Sequence, residues 1–300
     1  MSEADSVGGG DSQRFRAKPG TLYVVATPLG NLRDVTLRAL DVLASVDSVA
    51  AEDTRLTGRL LSHFGIPART VSLHAHNEAA RAQALIGRLA AGESVALVSD
   101  AGTPAVSDPG ARVVRAVQAA GYPVSPVPGP SALTAAVSVA GLHADAFVFA
   151  GFPPHALRAR RAWLDRLARM PAAVVMYEAP HRVAATAAEI SAAFEGERDM
   201  VVAREITKAF ETIARVPVAA APAWFAEDAN RTRGELVLVI DVPERAAPAP
   251  DNLDESAERW LVALLDELPP ARAARVVAAV TGVPREVVYA RALALKPGSG

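Results

Sequence analysis

The first half of the chain repeats one unit. A short apolar run is followed by a loop containing Gly or Pro, and then by a stretch with apolar residues at helical spacing. Thr21–Thr27 (TLYVVAT), Val46–Ala51, Ser94–Ser99 (SVALVS) and Val124–Val127 are the apolar runs. Leu32–Ser45, Asn77–Ala91, Gly110–Ala120 and Ser131–Ala140 are the helical stretches between and after them. Runs this short suit strands buried on both faces, and strands alternating with helices predict a mostly parallel sheet covered by helices. The fold class expected is therefore α/β.

After Gly141 the alternation becomes less regular. Ala146–Ala150, Ala173–Tyr177, Met200–Ala203 and Leu236–Ile240 are strand candidates, with helical stretches at Ala156–Arg169, His181–Phe194 and Val218–Glu227. The expected organisation is a tail over 1–20, one α/β domain over 21–141 and a second over 142–243. A linker follows over 244–252 (it contains PERAAPAP), then a helical extension over 253–296 with a tight turn at Thr281–Pro284. The tail is rich in Gly and Ser, lacks the apolar segment of a signal peptide, and is expected to be disordered.

Bulk properties exclude several chemistries. The 300 residues contain no Cys, which removes disulfides, Cys-ligated metals and thiol catalysis, and fits a cytoplasmic setting. No apolar run reaches the roughly 18 residues of a membrane span, so no membrane partner is expected. A formal net charge of −2 provides no global basic field, so a nucleic-acid partner needs a local patch. HALRARRAWLDRLAR is such a patch: Arg158, Arg160, Arg161, Arg166 and Arg169 stand against one Asp. Arginine-dense helices suit phosphate contact, and they also occur as plain solvated faces.

Candidate chemistry sits in the loops that follow strands, because ligands of open α/β sheets bind beyond the carboxyl ends of the strands. TPLGN, DAGTPAVSD and PGPSA each combine Gly and Pro with a small polar residue. Gly lets backbone approach a ligand closely and Pro stiffens the turn. Neither a P-loop nor a G-x-G-x-x-G pattern occurs, and the His74/His76 pair lacks a zincin context, so no metal is expected. Polar clusters at EDTR (52–55), YEAPHR (177–182) and REITKAFE (204–211) also follow strands. Candidate bases or orienting groups are Asp53, His76, Glu78, Glu178 and Glu205, with Lys208 beside them. Arg55, Arg158, Arg161 and Arg182 are candidate contacts to substrate phosphates.

Taken together, TLYVVATPLGNLRDVTLRAL, AAEDTR, LHAHNE, ALVSDAGTPAVSDPG, VPGPSA, YEAPHR and REITKAFET, in this order, carry a resemblance to the ribosomal RNA small-subunit methyltransferase I family of the tetrapyrrole-methylase superfamily. It covers about Thr21–Val242, and the tail resembles that family's helix-turn-helix extension. The resemblance implies two α/β domains with S-adenosylmethionine bound in the cleft between them. It also implies transfer of a methyl group to the ribose 2′-hydroxyl of a cytidine in the decoding region of 16S rRNA, and a homodimer. Leu29, Asp100, Thr103, Ser131, Ala132 and Tyr177 match superfamily positions that line the cofactor, with Pro28, Gly30 and Ala101 in the same loops. The usual GPGD of the first loop is PLGN here, and Ala75 stands where the family often has an acid. A corrin or sirohaem-type C-methylase is the competing enzyme within the superfamily; a non-catalytic RNA-binding factor is the competing non-enzyme.

Overall fold

The computed structural model describes residues 15–73, 78–194, 197–243, 253 and 255–295. The tail over 1–14, the LHAHNE histidines His74 and His76, and the whole 244–252 linker lie outside that set. The chain divides into two compact units, Met1–Pro243 and Glu244–Gly300.

The larger unit holds two five-stranded sheets. The first contains β1 (Leu22–Val25), β2 (Ser48–Ala51), β3 (Thr70–Ser72), β4 (Val95–Val98) and β5 (Val124–Val127), in the order β3-β2-β4-β1-β5. All its pairings are parallel, as the alternating pattern predicts. Alternate residues point to opposite faces. Tyr23, Val25, Val49, Ala51, Ala96 and Val98 pack against α1 (Leu37–Ser45) and Leu61 of α2 (Thr54–His63). Leu22, Ala50, Val95 and Leu97 pack against α3 (Glu78–Ala90) and α4 (Ala111–Ala119). Each fully buried Val or Leu contributes on the order of 2 kcal/mol, so both faces of the strands are committed to core.

The helix α5 (Ala132–Ala140) follows the last strand of this sheet and yet packs on the other one. The second sheet contains β6 (Phe147–Gly151), β7 (Ala173–Glu178), β8 (Asp199–Arg204), β9 (Thr212–Pro217) and β10 (Leu236–Ile240), in the order β6-β7-β10-β8-β9. Only β6 and β7 pair in parallel; the other pairings are antiparallel. One face meets α6 (Leu157–Ala168), α7 (Val183–Ala193) and α8 (Ala221–Glu227). The opposite face takes Ala136 and Ala140 of α5 against Val175, Val201 and Val239. The small side chains of α5 (ALTAAVSVA) allow that close approach and join the two sheets within one compact unit.

The second unit is a three-helix body, α9 (Glu255–Leu265), α10 (Pro270–Thr281) and α11 (Arg285–Leu295), with its own core of Leu261, Ala274, Val277 and Val288. Gly282 ends α10 in the left-handed conformation (φ 75°), which turns the chain sharply into α11. Arg291 and Glu258 tie α11 to α9 through a bidentate ion pair.

Candidate active site

In a parallel sheet all strands end on one edge, so the loops after β1, β4 and β5 meet there. They are bonded to one another through backbone. Thr27 and Gly102 exchange two N–H to C=O bonds of 2.9 Å. The Thr27 hydroxyl donates to the Ser99 carbonyl at 3.2 Å, and the Thr103 hydroxyl donates to the Pro130 carbonyl at 3.1 Å. Gly102 sits at φ 78°, and a Cβ there would press on the Leu29 side chain at 3.2 Å, so the loop pair closes only around glycine.

A cavity of 340 Å³ opens between these loops and the second sheet. Leu29, Ala101, Thr103, Ser131 and Ala132 line one side. Phe152, Tyr177, Glu178, Ile206 and Glu235 line the other, and Asp108 completes the rim. Tyr177 stacks edge-on with Phe149 and Phe152 at centroid distances of 4.9 and 5.5 Å. Its phenol oxygen accepts from the Leu133 N–H, in the first turn of α5. Ser131, the N-cap of α5, makes no side-chain cap bond, so Tyr177 serves part of that role. Burial, with Asp108 nearby, pushes the Tyr177 hydroxyl above its ordinary pKa and keeps it neutral.

Backbone strain concentrates around this cavity. Among the described residues, Ala105, Ser107, Glu205 and Thr207 are the non-glycines with positive φ (53° to 68°). They fall in two loops, 99–108 and 205–211, that each contribute cavity wall. Each such residue costs about 1–3 kcal/mol and persists where the surroundings over-determine it.

The expected site residues take different places. Leu29, Ala101, Thr103, Ser131, Ala132 and Tyr177 come together on the cavity. Pro28 and Asp100 instead line a second cavity of 410 Å³, on the far side of the Thr27–Gly102 bridge, with Leu56, Arg59, Leu60 and His63 of α2. There the Asp100 carboxylate accepts from the Asp53 N–H at 2.8 Å. Gly30 lies beneath Lys208, whose Cγ would be 2.3 Å from an added Cβ.

Among the expected catalytic groups, Asp53 is the N-cap of α2, accepting from the Arg55 N–H and pairing with its guanidinium at 3.2 Å. Those bonds hold its carboxyl below the usual range. Glu178 is buried and accepts from the Ala179 N–H at 2.7 Å and the Thr186 hydroxyl at 2.5 Å, with Arg182 at 3.6 Å. Glu205 accepts from Lys208 Nζ and from the Glu235 N–H, both at 2.9 Å. Burial raises the Glu205 carboxyl, but these bonds and the neighbouring Lys208 and Arg204 outweigh it and hold it low. Burial likewise disfavours charge on Lys208, and its pairing with Glu205 and Glu235 more than offsets that, so the ammonium is held firmly charged. Glu78 begins α3, with its side chain outside the described set, and His76 is outside it altogether.

Among the expected phosphate contacts, Arg55 is fully open to solvent apart from Asp53. Arg158 and Arg161 are exposed on α6. Arg182 donates to the Pro153 and Pro154 carbonyls at 2.8 and 3.1 Å and meets His155 Nδ1 at 3.2 Å, so it braces the loop before α6. Arg160 differs from its neighbours: it is buried, forks onto Glu189 at 2.6 and 2.7 Å, and donates to the Pro154 and His155 carbonyls. Two cavity acids were not among the candidates, Asp108 and Glu235. Asp108 closes the DAGTPAVSD loop whose first acid, Asp100, was chosen instead.

The pairing of an all-parallel sheet with a mixed sheet, and a cavity at the strand ends between them, is the architecture of the tetrapyrrole methylases. Residues 21–222 match the family described as Tetrapyrrole (Corrin/Porphyrin) Methylases, and 251–296 match the RsmI C-terminal HTH domain. Methyltransferase CobJ superposes with a TM-score of 0.58 at 20% identity, covering 74% of this chain and 94% of that one. A uroporphyrin-III C-methyl transferase from Thermus thermophilus, complexed with S-adenosylhomocysteine, gives 0.53 at 19%, covering 74% and 97%. At those identities the likeness is one of fold. The ribosomal RNA small subunit methyltransferase I of Xylella fastidiosa is 48% identical over 272 residues, 90% of this chain and 98% of that protein. Its counterpart in Vibrio cholerae is 46% identical over 268 residues, 89% and 92%. The chain belongs to the ribosomal RNA small subunit methyltransferase I family, and as a member of it is a methyltransferase.

Proposed function

We propose that the chain transfers a methyl group from S-adenosylmethionine to the ribose 2′-hydroxyl of a cytidine in the decoding region of 16S rRNA, acting on the small ribosomal subunit. The observation that carries this reading is the convergence of Leu29, Ala101, Thr103, Ser131, Ala132 and Tyr177, from separate loops and both sheets, on one cavity. Its chemistry fits an adenosine-bearing ligand. Leu29, Ala101, Ala132 and Ile206 provide apolar walls, and Thr103, Ser131 and the first turn of α5 provide polar groups to fix orientation. The cofactor, when bound, supplies a methyl group already activated on a sulfonium.

The protein's own contribution is alignment, worth several kcal/mol when reacting atoms are held in line, and disposal of the hydroxyl proton. Strained loops bonded to each other through Thr27–Gly102 and Thr103–Pro130 give that alignment a rigid frame. The RNA is held by exposed arginines, Arg158 and Arg161 of α6 and Arg55 at the head of α2, and a second copy of the chain completes the working enzyme. Among the described residues no helix is long and apolar enough to cross a membrane.

The deciding experiment offers tritiated S-adenosylmethionine with either 30S subunits or a uroporphyrinoid, and then digests the RNA to nucleosides. Label recovered as 2′-O-methylcytidine is the expected result. Label on the tetrapyrrole, or on a base, would overturn the substrate assignment.

A further inference from the structure

Asp108 ends the strained loop after β4 and lies on the cavity rim with Ser131 and Tyr177. The Ser99 hydroxyl, itself buried, donates to the Ala101 carbonyl of the same loop at 3.3 Å. The charges that act on it are carboxylates: Asp100, from its own loop but not on this cavity, and Glu235, just before β10 and on the same cavity. Tyr177 faces it from β7 as a neutral phenol. Lys208, from the loop after β8, is engaged with Glu235 and Glu205. No Lys, Arg or His lines this cavity among the described residues.

Resting on the reading of this cavity as the methyl-donor site, we propose that Asp108 takes the proton from the ribose hydroxyl as the methyl group is transferred. The candidates whose side chains are described are otherwise occupied. Asp53 caps a helix and pairs with Arg55, Glu178 is buried under three donors, Glu205 is bound to Lys208, and Lys208 is held protonated. Asp108 differs in sign. Burial outweighs the opposing influence of the nearby Ser99 hydroxyl and, with smaller help from the Asp100 and Glu235 charges, pushes its carboxyl above the ordinary range, the direction a general base needs.

The step balances. The ribose O–H bond breaks as the O–CH3 bond forms, the CH3–S bond breaks with its electron pair left on sulfur, and the proton ends on an Asp108 carboxylate oxygen. One positive and one negative charge disappear together. In a partly buried, largely apolar cavity that neutralisation is favoured, because both charges are poorly solvated there. The left-handed turns at Ala105 and Ser107 lie in the segment that leads to Asp108 on the cavity.

The test compares wild type, Asp108→Asn and Asp108→Glu, full length, on 30S subunits at saturating cofactor. Asp108→Asn should lower kcat by about 10²–10⁴-fold. The wild-type fall in log kcat toward acid pH should be absent from the Asn variant and partly restored in the Glu variant. Calorimetry with S-adenosylhomocysteine should give affinities within threefold of each other, a difference of about 0.65 kcal/mol. Because the folded carboxyl is raised, its charged form opposes folding above that pKa. Asp108→Asn should therefore melt at the same or a higher temperature at pH 8, with any gain fading as the pH falls and wild-type Asp108 protonates. An active wild type with an equally active Asn variant, or an acid limb that survives the substitution, overturns the role of Asp108 alone. A lowered melting temperature, or lost cofactor affinity that accounts for the lost rate, makes Asp108 structural or cofactor-binding instead. A wild type that methylates no ribose overturns the substrate reading, and the role of Asp108 with it.

Discussion

Lys208 shows how one side chain links the two halves of the site. Its aliphatic stem covers Gly30 of the first loop, and its ammonium reaches Glu205 at 2.9 Å and Glu235 at 3.1 Å. Gly234, at φ 79°, leaves the room that Glu205 fills, since a Cβ there would sit 2.4 Å from the carboxyl carbon. The pH dependence follows from the two shifts. Glu205 has a lowered folded pKa, so its contribution is present above the usual 4.5 and is lost as pH falls through the lower folded value. Lys208 has a raised folded pKa, so its contribution is full below 10.5 and is lost only as pH rises past the folded value. Lys208→Met keeps most of the stem and removes the charge. It should destabilise the protein by about 1–2 kcal/mol at pH 7, a charge-assisted bond discounted for partial exposure. The deficit in urea unfolding should shrink as the pH falls through the lowered folded pKa of Glu205, where the carboxylate protonates in wild type. A deficit that stays constant across that range would mean that the stem, and not the ion pair, holds the loop.

At the scale of elements, α6 separates two uses of arginine on one helix. Arg160, Leu164 and Leu167 share the buried face, at spacings of four and three, while Arg158, Arg161 and Arg166 face solvent. The double substitution Arg158→Glu/Arg161→Glu should leave the melting temperature within a degree or two, weaken binding to 30S subunits, and reduce the salt slope of binding by about 2 if both contact phosphate. Arg160→Ala should instead destabilise by about 3 kcal/mol, because it leaves Glu189 without its partner. An unchanged salt slope in the double variant would make this face an ordinary solvated one. The periodicity that separates Arg160 from its neighbours was present in the sequence, masked by the uniform Arg density. Other elements were less visible. The helix α2 begins on the EDTR cluster and carries Gly58 among Leu56, Leu60 and Leu61, so its helical spacing is weak beside the polar cluster that opens it. The strand β3 is three residues long, and β9 is an exposed edge strand ending in Pro217. Short and edge strands lack the apolar runs that made β1, β4, β5 and β10 legible. The loops that reach the 340 Å³ cavity carry Gly and Pro at strand ends, a visible signal that ordinary tight turns share. Asp108, within SDPG, reads as a turn residue, and it is the fold of the loop, with positive φ at Ala105 and Ser107, that shows it on the cavity.

At the scale of the whole molecule, the chain separates two kinds of work. Every residue on the 340 Å³ cavity belongs to the unit ending at Pro243, and so do the two sheets and α5 that shape it. The helical unit carries a core of its own, Leu261, Leu265, Ala274, Val277 and Val288, and an ion pair, Arg291–Glu258, internal to it. Among the described residues, each buried cluster draws on one unit alone. A chain ending at Pro243 should therefore fold cooperatively and bind S-adenosylhomocysteine within about threefold of the full-length affinity, a difference under 1 kcal/mol. Its kcat/KM on 30S subunits should fall at least tenfold if the helix-turn-helix unit contributes to holding the RNA, and supplying that unit as a separate chain should restore little of the loss. A covalent connection converts the second contact into an intramolecular one, and two free chains lose that effective concentration. Calorimetry on the truncated chain and single-turnover methylation of 30S subunits measure the two quantities independently. Loss of cofactor binding on truncation would mean that the helical unit supports the fold of the larger one. Undiminished methylation would remove it from substrate recognition and leave the exposed arginines of α6 and α2 to carry that role.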